Sequence, residues 1–203
     1  MIIKKILKAA EQDREDVKIA RKAWTAFQKK TPMNTIVCLD ESGAQTNMTR
    51  RYGRARNGKR CFDSAPDGRW RTTTMLSSLR SDGTTECIVY EGGTTKALFE
   101  AYIEEVLCPT LNPGDHVILD NLSSHKSSRV TSLIEDRGAT VVYLPPYSPD
   151  LNPIEKMWSK IKAYLRKVKA RTKETLFNGI KEALEMVTCS DAQGWFLSCG
   201  YLS

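Results

Sequence analysis

The sequence predicts an α/β protein, a mixed five-stranded sheet with helices on both faces. Three observations predict it. Five short apolar runs rich in β-formers are spread along 203 residues. The first three are joined by short links, which suits an antiparallel meander, and the later ones alternate with helical patterns, which suits parallel crossovers. Hydrophobic content of 40% and charged content of 27% are ordinary for a globular chain, and the length is enough for one full core.

Each element has its own signal. Leu7 to Gln28 spaces Ala, Val, Ile, Trp and Phe near the helical period. "KKTPMN" ends that helix, with Pro32 as breaker. "TIVCLDE" reads as a buried strand ending in acid, and "RYGRARNGKR" as a loop. "WRTTTMLSSLR" and "ECIVYEGG" are strands joined across the turn "SDG". "TTKALFEAYIEEVLCPTL" is one amphipathic helix closed by "NPGD". "HVILDN" is a second buried strand ending in acid. "SSRVTSLIEDRG" is a helix stopped at Gly138, and "ATVVYLPP" is the fifth strand. A basic helix starts at Pro153, and "KETLFNGIKEALEMV" gives another.

Bulk properties narrow the function. No apolar run approaches the roughly 20 residues that span a bilayer, and "MIIKKILKAAEQDRED" lacks the apolar core of a signal peptide. Six scattered cysteines form no C-x-x-C pair, which argues against zinc and for reduced thiols in a cytoplasmic protein. A net charge of +7 favours a polyanionic partner, nucleic acid first. Two acid-free segments carry much of it, Arg50 to Arg60 and Lys156 to Lys173. Both suit a phosphate backbone, although a merely solvated basic face has the same composition.

Three acids stand out by position: Asp40 at the end of the first strand, Asp120 at the end of the fourth, and Glu155 in the first turn of the helix after the fifth. Either aspartate alone can be a cap or turn residue. All three at strand ends, where α/β sites gather, point to a shared carboxylate pocket. Such carboxylates repel one another unless a cation neutralises them. Oxygen-only ligation suits Mg²⁺ or Mn²⁺, and two such ions serve phosphoryl transfer. The prolines before Glu155 fit this reading. Pro145 and Pro146 end the strand, Pro153 suits a first helical turn, and Asn152 or Asp150 is placed to cap it. Trp158 and Ile161 are expected to pack inward.

The motifs "CLDESGAQTNMTRRYGRA", "HVILDNLSSHKS" and "YLPPYSPDLNPIEKMWSKIK", with 34 residues between Asp120 and Glu155, resemble the RNase H-like catalytic domain of DDE transposases. More narrowly, they resemble the mariner-type superfamily and its bacterial insertion-sequence branch, over about Thr35 to Lys173. The resemblance implies a metal-binding triad of Asp40, Asp120 and Glu155. It also implies strand cleavage at transposon ends, 3′-hydroxyl transfer into target DNA, a homodimer, and a cytoplasmic, nucleoid-associated setting. It divides the chain into a helical extension (1–34), the RNase H-like DDE catalytic domain (35–173) and a C-terminal helical segment of the same domain (174–203). Arg50, Arg51, Arg54, Arg56, His125, Lys156, Lys160 and Lys162 are the expected DNA contacts. Glu41 is expected to face away from the metal, because successive strand side chains alternate.

Family members usually carry a helix-turn-helix region ahead of this domain. The roughly 34 residues before the first strand read as one helix, so that module is expected on a separate polypeptide or joined by frameshift, or else lost from a truncated copy. Two further function classes stay open: another RNase H-like nuclease, and a non-catalytic DNA-binding remnant. Ser123, Ser124 and His125 lack the G-x-S-x-G elbow of a serine hydrolase, and "YEGGTTKAL" lacks the P-loop lysine pattern.

Overall fold

The structure is a computed structural model that describes residues 9–50, 52–57, 59–66, 72–121 and 127–202. Among these residues, six α-helices and five strands follow in chain order. They are α1 (Glu15–Lys30), β1 (Ile36–Ala44), β2 (Thr73–Arg80), β3 (Cys87–Glu91), α2 (Lys96–Tyr102), β4 (His116–Leu119), α3 (Ser128–Glu135), β5 (Thr140–Tyr143), α4 (Pro153–Val168), α5 (Lys173–Glu185) and α6 (Cys189–Ser198).

The five strands form one sheet in the order β3-β2-β1-β4-β5. The first three pair antiparallel, while β1–β4 and β4–β5 pair parallel. This is the mixed sheet expected from the link lengths. Alternation sorts its side chains into two cores. Ile36, Cys38, Met75, Leu79 and Ile118 pack with α1, α4, α5 and α6, around Trp24, Trp158 and Phe196. Val37, Leu39, Leu76, Val117 and Leu119 pack with α2 and α3, around Phe99, Tyr102 and Ile134.

Four elements differ from expectation. The first helix begins at Glu15, after a 3-10 turn over Ala10–Asp13 and an extended Arg14. Glu15 and Asp16 then sit in the first turn and Lys29 and Lys30 in the last, which suits the helix dipole. The helix from Lys96 passes through a wide π turn (Ile103–Leu107) into a 3-10 turn (Cys108–Thr110), where Pro109 removes a backbone donor. β1 continues past Asp40 to Ala44, because β2 supplies ladder partners as far as Thr73. The tail carries a separate helix, α6, whose Thr188 and Asp191 form a reciprocal capping box. No helix among the described residues is long and apolar enough to cross a membrane.

Candidate active site

The parallel pairing of β1 and β4 aligns two carboxylates. Ile36, Val37 and Cys38 face His116, Val117 and Ile118. Two residues further along each chain, the same register sets Asp40 level with Asp120. Asp40 therefore stands in mid-strand, but at the point where its parallel neighbour has ended and left a crevice. Both side chains project to the α4 face, by the same alternation that places Cys38 and Ile118 there.

Glu155 arrives from α4. Five apolar side chains (Ile154, Met157, Trp158, Ile161 and Leu165) fix that helix on the sheet. Pro153 is its first residue, as expected. The expected caps differ: Asn152 makes no side-chain cap, and its buried Oδ1 has no partner. Asp150 is turned to Arg21 instead.

Asp40, Asp120 and Glu155 line one cavity of about 450 Å³, walled by the segment Leu144–Pro149 and Asn152. Burial pushes the Asp40 carboxyl up to about 7, with the Glu155 and Asp120 charges adding to it. Trp158, itself buried, donates from Nε1 to Asp40 Oδ2 at 3.2 Å. The core residue thus also orients a site carboxylate. Loss of hydration raises the Glu155 pKa; Lys162, two turns along α4, opposes that shift and Asp120 adds to it. Glu41 accepts a hydrogen bond from Thr94 Oγ1.

Among the described residues, no three His, Cys, Asp or Glu side chains stand close enough to ligate one ion. The three carboxylates share a cavity while their mutual repulsion disfavours closer approach. The donor set nonetheless fits a hard divalent cation. It is all oxygen, one member is held near neutrality by its surroundings, and a buried amide oxygen without a partner sits in the same cavity wall.

The expected DNA contacts divide. Lys162 stands beside Glu155 and, with Arg166, lines a hollow against Gly43, Gln45 and Thr72. Arg50 lines a larger groove of about 710 Å³ with Tyr52, Tyr164, Arg166 and Lys167. Arg54 and Arg56 are exposed on the same loop. Arg51 and His125 lie outside the described residues. Lys160 also borders the groove, but its ammonium is engaged within the protein, donating to Asp191 Oδ2 (2.6 Å) and the Met186 carbonyl (2.7 Å). Lys156 is half-buried, and its charge opposes the burial-driven rise of the Cys199 thiol pKa.

Sequence reasoning did not single out Arg166, Lys167, Tyr52, Arg171 and Arg21, although the first four lie in its two basic segments. Arg166 continues the stripe from Glu155 through Lys162, and Lys167 follows Lys160 two turns on, a signal present in "KIKAYLRK". Arg171 pins the basic loop, donating to the carbonyls of Thr46 (2.9 Å), Met48 (3.0 Å) and Ser64 (3.1 Å). Lys169 pairs with Asp63, which also accepts from Thr49 Oγ1 (2.6 Å). These contacts hold the Arg50 loop against the basic end of α4, and no local pattern foretells them.

Residues 35–177 match the family described as DDE superfamily endonucleases. The chain is 32% identical over 71 residues to the transposable element Tc1 transposase of Caenorhabditis elegans, covering 35% of this chain and 26% of that protein. It is 31% identical over 98 residues to the Tcb1 transposase of Caenorhabditis briggsae, covering 44% and 36%. Both relatives are from nematodes, so they assign no bacterial branch. The fold is similar to that of the Mos1 transposase in its paired-end complex with the left transposon end (TM-score 0.73, 17% identity, 98% of this chain and 64% of that one). The Mos1 strand transfer complex is similar to the same degree (TM-score 0.74, 17% identity, 98% and 63%). Mos1 structures with Mn and with Mg share the fold (TM-scores 0.70 and 0.54). The match thus spans about a quarter to a third of the curated relatives and under two thirds of the Mos1 chain in the paired-end and strand transfer complexes.

Proposed function

Because the chain belongs to the DDE superfamily endonucleases, we propose that it is the catalytic domain of a DNA transposase, cleaving strands at transposon ends and joining the freed 3′-hydroxyl to target DNA. One observation carries the reading: three carboxylates from two strands and a helix line one cavity, and Asp40 among them is pushed up to about 7. Near neutral pH a carboxyl so placed is only partly ionised, and a bound cation would favour its ionised form.

Asp40, Asp120 and Glu155 would hold Mg²⁺ or Mn²⁺, two ions in the full site. When bound, such ions supply Lewis acidity toward the attacking and leaving oxygens of an in-line displacement. The chain's own groups do the rest. Trp158 holds one Asp40 oxygen in place through its indole N–H. Lys162 opposes the negative charge near Glu155 and is sited to meet a phosphate.

The DNA path follows α4. Lys162, Arg166 and Lys167 run away from Glu155, and the pinned loop brings Arg50 and Tyr52 to the same groove. Glu155 to Arg166 is about 16 Å along the helix at the usual rise per residue, the length of about five base pairs at 3.4 Å each. The Tc1 and Tcb1 relatives are transposases, and Mos1 is seen on transposon ends. Carrying those roles to this chain is part of the proposal. So are a homodimeric active form and end recognition by a helix-turn-helix module, on a separate polypeptide or fused. A bacterial insertion-sequence origin, with a cytoplasmic, nucleoid-associated setting, rests on the motif resemblance.

The test is the chemistry of the products. Purified protein with Mn²⁺ should leave 3′-hydroxyl and 5′-phosphate termini on cut duplex DNA. Exclusive cleavage of the RNA strand of a hybrid would replace this reading with that of a hybrid-specific nuclease.

A further inference from the structure

The segment between β5 and α4 forms a wall of the carboxylate cavity and delivers Glu155, so whatever fixes it governs the site. Its own bonds are short-range. Leu151 N–H donates to the Ser148 carbonyl and Asn152 N–H to that of Pro149, giving the 3-10 turn Pro149–Leu151. Ser148 Oγ donates to the Pro146 carbonyl at 3.0 Å. Tyr147 sits at φ +56, in the left-handed region that side chains disfavour. A segment with this backbone needs outside support to stay in one conformation.

That support comes from residues far away in sequence. Arg21, in the middle of α1, meets Asp150 with both ends of its guanidinium, Nη1 to Oδ1 at 3.0 Å and Nη2 to Oδ2 at 2.6 Å. Its Nη1 also donates to Ser148 Oγ at 2.7 Å. Gln12, just ahead of α1, donates from Nε2 to the Tyr147 carbonyl at 2.6 Å. Three features of the wall are therefore tied to one short stretch: the strained Tyr147, the buried Ser148 and the turn residue Asp150. Arg21 is suited to this because its planar fork fixes direction as well as distance, which a lysine ammonium does not.

We propose that Arg21 is a positioning residue of the phosphoryl-transfer site, fixing through Ser148 and Asp150 the proline-rich wall that shapes the cavity and leads into Glu155. The assignment rests on the proposed function. It makes α1 a part of the catalytic apparatus, and Asp150 belongs to the clamp rather than to the helix cap. Arg21 does not line the basic groove on α4, which is formed by residues including Arg50, Tyr52 and Arg166. Its loss should therefore spare DNA affinity.

The experiment compares wild type, Arg21→Ala, Arg21→Lys and the swapped pair Arg21→Asp/Asp150→Arg in full-length protein. It reads the Mn²⁺-dependent plasmid-cleavage rate, the Mn²⁺ half-saturation from a calorimetric titration, and DNA affinity. Misplacement of a reacting group by about an ångström costs on the order of 10²-fold in rate. Arg21→Ala should lose at least about tenfold in cleavage and need more Mn²⁺, with DNA affinity unchanged. Arg21→Lys should keep the fold and charge but not the fork, and should lose most of the same activity. The swapped pair should recover part of it, a recovery that general destabilisation would not produce. Equal rates and equal Mn²⁺ demand in wild type and Arg21→Lys would overturn the clamp while leaving the transposase reading intact. A wild type that neither binds Mn²⁺ nor cleaves would refute that reading, and the assignment with it.

Discussion

Replacing Asp40 by asparagine should stabilise the metal-free protein at alkaline pH while abolishing cleavage. Asp40 titrates near 7 in the folded chain against an ordinary value of 3.8. At about 1.36 kcal/mol for each tenfold change in proton affinity, the rise from 3.8 to about 7 sets an upper limit of about 4 kcal/mol. The sign follows from proton counting. Between about pH 4 and 7 the folded state keeps the Asp40 proton and the unfolded state has lost it. Stability therefore falls as pH rises through that window and levels off above it. The Asp40→Asn side chain carries no charge, and its amide oxygen can still accept from Trp158 Nε1 as the carboxylate does. In urea denaturation without metal, wild type should lose about 3 kcal/mol between pH 5 and pH 8 through this group, and Asp40→Asn should lack that component. At pH 8 the variant should then be the more stable protein, and at pH 4 the two should be close. Millimolar Mg²⁺ should recover stability at pH 8 in wild type only. An Asp40→Asn protein that is less stable at pH 8, or that keeps the full pH slope, would refute the buried, charge-crowded carboxylate on which the cation argument stands.

Other outcomes follow from the same contacts. Trp158→Phe keeps an aromatic ring in the core but removes the donor to Asp40, so cleavage should fall several-fold with a small loss of Tm, read by parallel kinetics and thermal melts. Lys160→Ala should cost about 1 kcal/mol of unfolding free energy, read as a lower denaturant midpoint, by cutting the α4–α6 link, and should leave the salt dependence of DNA binding unchanged. Arg166→Ala should do the opposite, lowering the log–log salt slope by about 1 with little loss of stability. Arg171→Ala frees the loop from three carbonyls, so trypsin should cut after Arg54 and Arg56 faster than in wild type, followed on a gel.

Much of this is legible in the sequence because the informative signals are local. Link lengths separate the antiparallel strands from the parallel ones, and two strands ending in Asp plus one helix opening with Glu mark out the cavity without any geometry. What stays hidden depends on non-local partners. β1 runs four residues past Asp40 because β2 is there to receive it, and nothing in "DESGA" says so. Lys160 reads as one of many exposed lysines until α6 brings Asp191 within reach. Asp150 reads as a helix cap because the handful of residues around it permit one. The Arg21 fork that claims it lies more than a hundred residues away. α6 is the avoidable omission, since "TCSD" carries a capping-box spacing.

The central claim is that Asp40, Asp120 and Glu155 are one metal-dependent phosphoryl-transfer site. Its most direct test is nicking of supercoiled plasmid in Mn²⁺ by wild type beside Asp120→Asn, with DNA affinity measured on both. The account predicts nicking by wild type alone, at equal DNA affinity. Equal nicking by the two proteins would contradict it.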